Sequence, residues 1–314
     1  MSDQQRGIES NKSGQELCDE IVKQRIAALR TRATVLARDS ILELQADTDY
    51  SLAAPEDLIR LNAANKGYLL GLGDSWFDYL MIDVTDSLDN DFGYDKTSVA
   101  EHGRSLRSIR ETPDQLKRLS KYIERSVGGA APKAILLSGG GNDLVDFGIQ
   151  NLLNDFGSGP PRLIESAVKQ LIDEEIKSAL IAVLDGIKGL CQHWLKKTIP
   201  ILIHGYDYPI PDGSYLDLGL SKRGPWLQPG FLDSGYDKHD LGPRTEVMKC
   251  LINRLNEMQL KIVAQPGYEH VRHVELRGTL GAADYKTMWG NELHPTSDGF
   301  IEVARKFDRM LKTL

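Results

Sequence analysis

Short apolar runs alternate with longer amphipathic segments through most of the chain. Four runs, which begin at Tyr68 or span Lys133–Leu137, Ile199–Ile203 and Val271–Leu276, are typical of strands buried inside a parallel sheet. Apolar residues at helical spacing predict helices after these strands, at Glu111–Ser126, Pro161 to about Trp194, Thr245 to about Val263, and Phe300–Leu311. The alternation from Tyr68 to Leu314 predicts a three-layer α/β fold with helices on both faces of a parallel sheet.

The chain before the first strand has a different pattern. Residues 1 to about 15 are polar and are predicted to be disordered, whereas Glu16 to about Leu44 carries apolar residues at roughly helical spacing among charges. We therefore expect residues 1–65 to form a polar tail and a helical extension, and residues 66–314 to form the main domain.

Net charge and hydropathy argue against some kinds of partner and location for this protein. The formal net charge is −7 and the pI is near 5.6, which argues against a nucleic-acid partner because phosphate backbones bind clustered positive charge. No stretch has the apolar length of an integral membrane segment, and the N-terminus lacks the apolar core of a signal peptide. A cytoplasmic location is the expectation, with export by a signal-independent route as the alternative.

Metal-binding patterns are weak in this sequence. The three cysteines are far apart and form no metal-ligand spacing, which predicts buried free thiols in a reducing compartment. The Asp-rich segment 78–95 lacks the ligand order of a calcium loop. The histidines form no HExxH or comparable spacing, so neither a metal nor a cofactor site is predicted.

A serine follows the first predicted strand on a glycine-containing turn. Gly71 and Gly73 end the apolar run, and Asp74 and Ser75 follow. A turn at the carboxyl end of a buried strand is where open α/β folds place their chemistry, so the hydroxyl of Ser75 would be presented at that edge. Taken alone, such a turn is more often structural, and the other blocks of polar residues decide between these interpretations.

Three further positions supply the base and the oxyanion donors that acyl transfer to a serine needs. His294 lies just before the terminal helix and could remove the proton of Ser75. The Asn142 amide, the backbone N–H groups of the glycines next to it and the backbone N–H of Gly103 could donate hydrogen bonds to an oxyanion. These residues come from separate predicted strand ends and loops.

In this order and rough spacing, the four blocks resemble those of the SGNH (GDSL-type) hydrolases. The blocks are Gly-Asp-Ser at 73–75, Gly103, Gly-x-Asn-Asp at 140–143 and His-Pro at 294–295, and the resemblance covers about residues 66–314. It implies a flavodoxin-like fold with Ser75 as nucleophile, His294 as general base, and Ser75 N–H, Gly103 N–H and Asn142 as oxyanion donors. Such proteins hydrolyse carboxylic esters or thioesters, or deacetylate carbohydrates, and need no metal or organic cofactor.

One position departs from this pattern. The family usually has Asp three residues before the histidine, where this chain has Asn291. Three interpretations are open. Asn291 or a backbone carbonyl could orient the ring of a Ser75–His294 dyad, Glu292 could serve instead, or the protein could be an inactive relative. The first is preferred, since two-residue spacing tends to point Glu292 away from His294.

Together these observations predict a serine hydrolase of small-molecule or carbohydrate esters. The alternatives are an acyltransferase with the same chemistry and a non-catalytic ligand-binding relative. Four aromatic residues of the long irregular stretch after the third strand, Tyr206, Tyr208, Trp226 and Phe231, could line the substrate pocket or pack on one another.

Overall fold

A five-stranded parallel sheet forms the centre of the protein. The computed structural model describes residues 12–43, 66–80, 82–217 and 222–314. The strands are β1 Tyr68–Leu72, β2 Asp95–Ser98, β3 Ala134–Leu137, β4 Ile201–His204 and β7 Val271–Val274, while β5 Leu216–Asp217 and β6 Lys222–Arg223 form a separate antiparallel pair. The sheet order is β2-β1-β3-β4-β7. This is the doubly wound order of flavodoxin-like folds.

The strand order fixes where a site can form. The chain leaves β1 towards β2 at one edge and then returns to β3 on the other side of β1, so β1 and β3 flank the point where the winding direction reverses. In open α/β sheets, ligands bind beyond the carboxyl ends of the strands at such a point. The turn with Ser75 follows β1 here.

The sequence pattern identified four of the five sheet strands, and β2 was missed. This strand, Asp-Lys-Thr-Ser, is polar and half-buried, because it lies at the edge of the sheet and pairs only with β1. The β3 and β4 strands are buried throughout and therefore read as continuous apolar runs. The predicted parallel sheet is confirmed, with one edge strand more than expected.

Ten α-helices are present among the described residues. They are α1 Gly14–Glu43, α2 Val84–Asn90, α3 Leu106–Glu111, α4 Asp114–Arg125, α5 Gly141–Phe147, α6 Glu165–Val168, α7 Lys177–Leu195, α8 Gln228–Asp233, α9 Leu241–Val263 and α10 Ser297–Leu311. A π-helical stretch, Lys169–Ile176, joins α6 to α7. The predicted start at Pro161 was wrong, because Leu163 pairs with Leu153 in an isolated bridge and the helix begins only at Glu165.

Two groups of helices cover the sheet. Helices α2 and α10 pack against each other beside β2 and β7, while α4, α7 and α9 form the other group. The central strands β1, β3 and β4 are almost fully apolar and buried, as are the facing positions of the helices. This arrangement confirms the predicted three-layer fold.

The α1 helix packs on α7 and also contacts α4. Leu17, Cys18 and Ile21 are buried in this contact. The two helices approach closely, since a Cβ on Gly189 of α7 would lie 2.8 Å from the Cys18 Sγ. The first eleven residues and residues 44–65 lie outside the described residues, so the disorder of the tail and the domain boundary at residue 65 stay predictions.

Three sequence-based expectations concern membranes, metals and thiols. No helix among the described ranges is long and apolar enough to cross a membrane. The same residues contain no group of three or more His, Cys, Asp or Glu that could hold a metal ion. All three cysteines are free, but Cys250 is exposed on α9, so the prediction of buried thiols holds only for Cys18 and Cys191.

Candidate active site

The turn after β1 depends on Gly73. Its φ of +134° lies in a region that side chains rarely adopt, and a Cβ there would meet the backbone O of Ser138 at 2.0 Å. The side-chain amide of Gln115 fixes the turn, since it accepts from the Gly73 N–H and donates to the Gly73 carbonyl, both at 2.9 Å. A tightly held turn therefore precedes Ser75.

We expect Gly73→Ala to lower the free energy of unfolding by about 3 kcal/mol or more, because backbone strain adds to a clash with rigid backbone. Urea denaturation followed by circular dichroism measures this effect. Gly128→Ala is the matched control, since its φ is also positive, at +80°, and nothing lies within 4 Å of the added Cβ. Equal losses in the two variants would contradict the role given to the Ser138 contact.

Ser75, His294 and Asn291 form a hydrogen-bonded row. The Ser75 Oγ lies 2.7 Å from the His294 Nε2, and the His294 Nδ1 lies 3.0 Å from the Asn291 Oδ1. All three residues are buried, with Ser75 at 8% and His294 at 6% exposure. The geometry is that of a nucleophile, a base and a group that orients the base.

The surroundings of Asn291 determine which way its amide faces. Its Oδ1 accepts the backbone N–H groups of Leu293 and His294, both at 3.0 Å, which only the oxygen end can do. Its Nδ2 donates to the Tyr79 hydroxyl at 3.1 Å. The oxygen therefore faces His294, so Nδ1 carries the proton and Nε2 presents its lone pair to Ser75.

Aromatic rings enclose the imidazole of His294. Tyr79 stacks on it with ring centroids 4.4 Å apart, and Trp226 approaches edge-on at 5.8 Å. Burial lowers the pKa of His294 to about 3. The ring is thus neutral at physiological pH, which is the form that can accept a proton from Ser75.

The predicted oxyanion donors, Gly103 and Asn142, lie beside Ser75 and His294 on the wall of one cavity. Asn142 is in the first turn of α5, and one N–H of its amide is held by the Arg104 carbonyl at 3.0 Å. The amide has a second N–H available for a ligand. Gly103 has a φ of +75°, and an added Cβ would touch nothing within 4 Å.

Asp143 ties the two donor-bearing segments together. Its buried carboxylate accepts the backbone N–H groups of Leu106 at 2.8 Å and Arg107 at 3.2 Å. The Arg107 guanidinium also donates to it. Burial raises the pKa of the Asp143 carboxyl, and these hydrogen bonds oppose that shift. This link between Asp143 and the loop of Gly103 has no signal in the sequence, because the two lie about forty residues apart in the chain.

Glu292 does not reach His294, so the structure corrects the second interpretation of the missing aspartate. Its carboxylate oxygens instead accept four backbone N–H groups, from Gly213, Trp226, Leu227 and Gln228, at 2.6–3.0 Å. Burial raises the pKa of Glu292. Adjacent side chains in the turn thus point to different partners, and Asn291 is the one at the imidazole.

A buried polar network behind Ser75 was missed in the sequence. Asp74 accepts the Ser138 hydroxyl at 2.6 Å and the Tyr206 hydroxyl, and the His204 Nε2 lies 3.0 Å from the Ser138 Oγ. Burial lowers the pKa of His204 to about 3, so this ring is neutral. The sequence did contain a signal for this network. His204 is the last residue of a buried strand, a position similar to those of Ser75 and Asn142, which come just after buried strands.

Two cavities meet at Ser75 and His294. The smaller, of about 50 Å³, has mainly apolar walls that include Trp76, Leu227 and Met248. The larger, of about 240 Å³, has a mixed rim, made by Tyr79, Trp226, Asp78, His102 and Arg223 among others. Of the four aromatic residues considered from the sequence, Trp226 and Tyr206 line these cavities, whereas Phe231 is buried in the core.

The parallel sheet, the glycine turn and the serine–histidine pair place the protein among α/β proteins with a hydrolase-type site at the carboxyl ends of the strands. The chain belongs to the GDSL-like lipase/acylhydrolase family, whose model matches residues 62–307. No curated protein matches the chain.

Three solved structures are among those similar to this chain. The lipase Lip_vut3 from a goat rumen metagenome is 14% identical, covers 78% of this chain and 96% of its own, and has a TM-score of 0.47. An alpha/beta hydrolase enzyme from the metagenome of Lake Arreo, Spain, is 11% identical, with coverage of 80% and 97% and a TM-score of 0.41. The acetylxylan esterase Axe2 from Geobacillus stearothermophilus, as a catalytic mutant, is 12% identical, with coverage of 79% and 95% and a TM-score of 0.41.

Proposed function

We propose that the protein hydrolyses carboxylic esters through an acyl-enzyme on Ser75, with His294 as general base. The observation that carries this proposal is the 2.7 Å contact between the Ser75 Oγ and the His294 Nε2, with Asn291 on the far side of the ring. Membership of the GDSL-like lipase/acylhydrolase family supports the same class of reaction.

In the acylation half, the neutral His294 takes the Ser75 proton as Oγ attacks the ester carbonyl carbon. The carbonyl oxygen becomes an oxyanion that Ser75 N–H, Gly103 N–H and the free N–H of Asn142 stabilise. The carbonyl reforms as the bond to the alcohol oxygen breaks, and His294 gives its proton to that oxygen. The product is an acyl-Ser75 ester and a free alcohol.

In the deacylation half, His294 takes a proton from water as the water oxygen attacks the acyl carbon. Breaking the bond to Ser75 returns the proton to Oγ and releases the carboxylic acid. Every proton in both halves moves through the Nε2 of His294. The hydrogen bond from the His294 Nδ1–H to Asn291 keeps the proton on Nδ1, so Nε2 stays unprotonated and basic.

We place the acyl group in the smaller cavity and the alcohol in the larger. The smaller cavity has apolar walls, which suit a short hydrocarbon chain, whereas the larger combines aromatic rings with polar groups and suits a polar alcohol such as a sugar. Small-molecule or carbohydrate esters with short acyl groups are therefore the proposed substrates.

A panel of p-nitrophenyl esters of rising acyl length tests the proposal. We expect hydrolysis by the wild type, faster for short than for long acyl chains, and labelling of Ser75 by a fluorophosphonate. Absence of both would instead favour a ligand-binding relative. Assays with added acceptor alcohols distinguish hydrolysis from acyl transfer.

We expect Asn142→Ala to lower kcat by about 10²–10³-fold with little change in KM, because an oxyanion donor acts mainly in the transition state. Steady-state kinetics with a short p-nitrophenyl ester measure both constants. Asn151→Ala is a suitable control, since the side-chain amide of the exposed Asn151 donates to the Phe147 carbonyl at the far end of α5. An increase in KM alone would show that Asn142 only binds substrate.

A further inference from the structure

Glu292 is fully buried, and its carboxylate accepts hydrogen bonds from backbone N–H groups next to the active-site cavities. Its exposure is 0%, and it forms no salt bridge with any described residue. Its four partners are the backbone N–H groups of Gly213, Trp226, Leu227 and Gln228. A carboxylate has about four acceptor sites on its two oxygens, so these four donors saturate the group.

The four donors lie in two stretches, residues 213–217 and 222–228, which together we call the cover segment. Gly213 is at its beginning, while Trp226, Leu227 and Gln228 are at its end. Residues 218–221, between these two stretches, lie outside the described part of the chain and are not included. A single carboxylate thus holds both ends of the segment in fixed positions relative to the turn that carries His294.

The cover segment contributes directly to the site. Trp226 lies on the rim of the larger cavity and meets the His294 ring edge-on, at 5.8 Å between ring centroids. Leu227 is buried and forms part of the wall of the smaller cavity. The backbone N–H groups of both residues donate to the Glu292 carboxylate, at 2.6 and 2.7 Å.

We infer that Glu292 is a positioning residue whose carboxylate holds the cover segment, and with it Trp226 and Leu227, against the substrate-binding cavities. The inference rests on the proposed function where it concerns substrate, but the holding of the segment does not depend on catalysis. The turn from Asn291 to His294 then has two adjacent side chains with separate tasks. Asn291 orients the base, and Glu292 holds the walls of the cavities.

Glu292→Gln tests this inference with a nearly isosteric change. A glutamine presents one oxygen, so at most half of the acceptor sites remain, and its NH₂ group would face backbone N–H donors. We expect KM for a short p-nitrophenyl ester to rise about tenfold while kcat stays within about threefold, because Ser75, His294 and Asn291 are untouched. Glu302→Gln is the control, since Glu302 is a partly exposed residue of α10 that pairs with Arg305.

Hydrogen exchange of backbone amides provides a readout that needs no catalysis. In the wild type, the amides of Gly213, Trp226, Leu227 and Gln228 should exchange at least about 100-fold more slowly than the amide of the exposed residue Gly224. In Glu292→Gln the four should exchange faster together, while the amides of the central sheet strands stay protected. The wild-type measurement stands even if the variant does not fold.

Fast exchange of the four amides in the wild type would overturn the inference, as would unchanged exchange or an unchanged KM in a folded Glu292→Gln protein. A variant that loses kcat and fluorophosphonate labelling together would place Glu292 in the proton-transfer machinery instead. If the wild type hydrolyses no ester, the proposed function fails, and the exchange measurements still decide whether Glu292 holds the segment.

Discussion

Ser75→Ala should lower ester hydrolysis by roughly 10⁵-fold or more and abolish fluorophosphonate labelling, because the proposed acyl-enzyme forms on this hydroxyl. The substitution removes a hydroxyl whose hydrogen-bond partner is the imidazole of His294 and leaves the backbone unchanged, so the fold should persist. Steady-state assays on p-nitrophenyl acetate measure the loss of activity, and circular dichroism with thermal unfolding checks the structure.

The matched control for this variant is Ser126→Ala. Ser126 lies at the end of α4 and donates to the Tyr122 carbonyl, away from both cavities. We expect wild-type kinetics from this control. Turnover by Ser75→Ala close to that of the wild type would refute the assignment of the nucleophile.

Asn291→Leu should lower kcat/KM by about 10³-fold or more. Leucine keeps the approximate size of the side chain but removes the oxygen that fixes the Nδ1–H tautomer of His294, and an incorrectly held tautomer costs about 10⁴-fold in the serine-protease template. Because the same oxygen also accepts the Leu293 and His294 N–H groups, a thermal unfolding curve should accompany the kinetics.

Asn291→Asp separates orientation from charge. The carboxylate can accept the same three N–H groups, so activity should be retained, while its negative charge favours the imidazolium and raises the pKa of His294. In the wild type that pKa is lowered to about 3, and hydrolysis should persist into mildly acidic solution because the neutral ring is the active form. The acid limb of the profile of kcat/KM against pH should therefore move upward in the variant.

A pH profile that is the same for Asn291→Asp and the wild type would show that residue 291 does not contact the ionising base. Full activity of a folded Asn291→Leu protein would lead to the same conclusion. The kcat/KM of Tyr79→Phe should lie between those of the wild type and Asn291→Leu, since this substitution removes only the hydroxyl that accepts from the Asn291 amide.

The sequence predicted what depends on local chain chemistry. The apolar strands gave the parallel sheet, and the residues after them gave Ser75 and Asn142, because a buried strand and a following turn are both encoded locally. The β2 strand could not be found in this way, since its polar residues are strand-like only through pairing with β1. The place of Glu292 was equally hidden, because its four partners are more than sixty residues away in the chain.

The missing aspartate shows the same limit. From the sequence, Asn291, a backbone carbonyl and Glu292 were all candidates, because the choice depends on which side chain faces the ring. The structure has Asn291 there, with its amide fixed by Tyr79 and by two backbone N–H groups. An asparagine held in this way presents only its oxygen to the histidine, which is why it is compatible with the proposed mechanism.

The contact of α1 with α7 has a consequence for the minimal length of the protein. The family match begins at residue 62, after α1, yet Leu17, Cys18 and Ile21 are buried on α7. A chain that begins at residue 62 and keeps its C-terminal helix would retain every residue of the proposed site and would expose the apolar surface that α1 covers. We therefore expect such a fragment to be prone to aggregation. The shortest chain that contains the proposed site is then shorter than the shortest chain that stays monodisperse in solution.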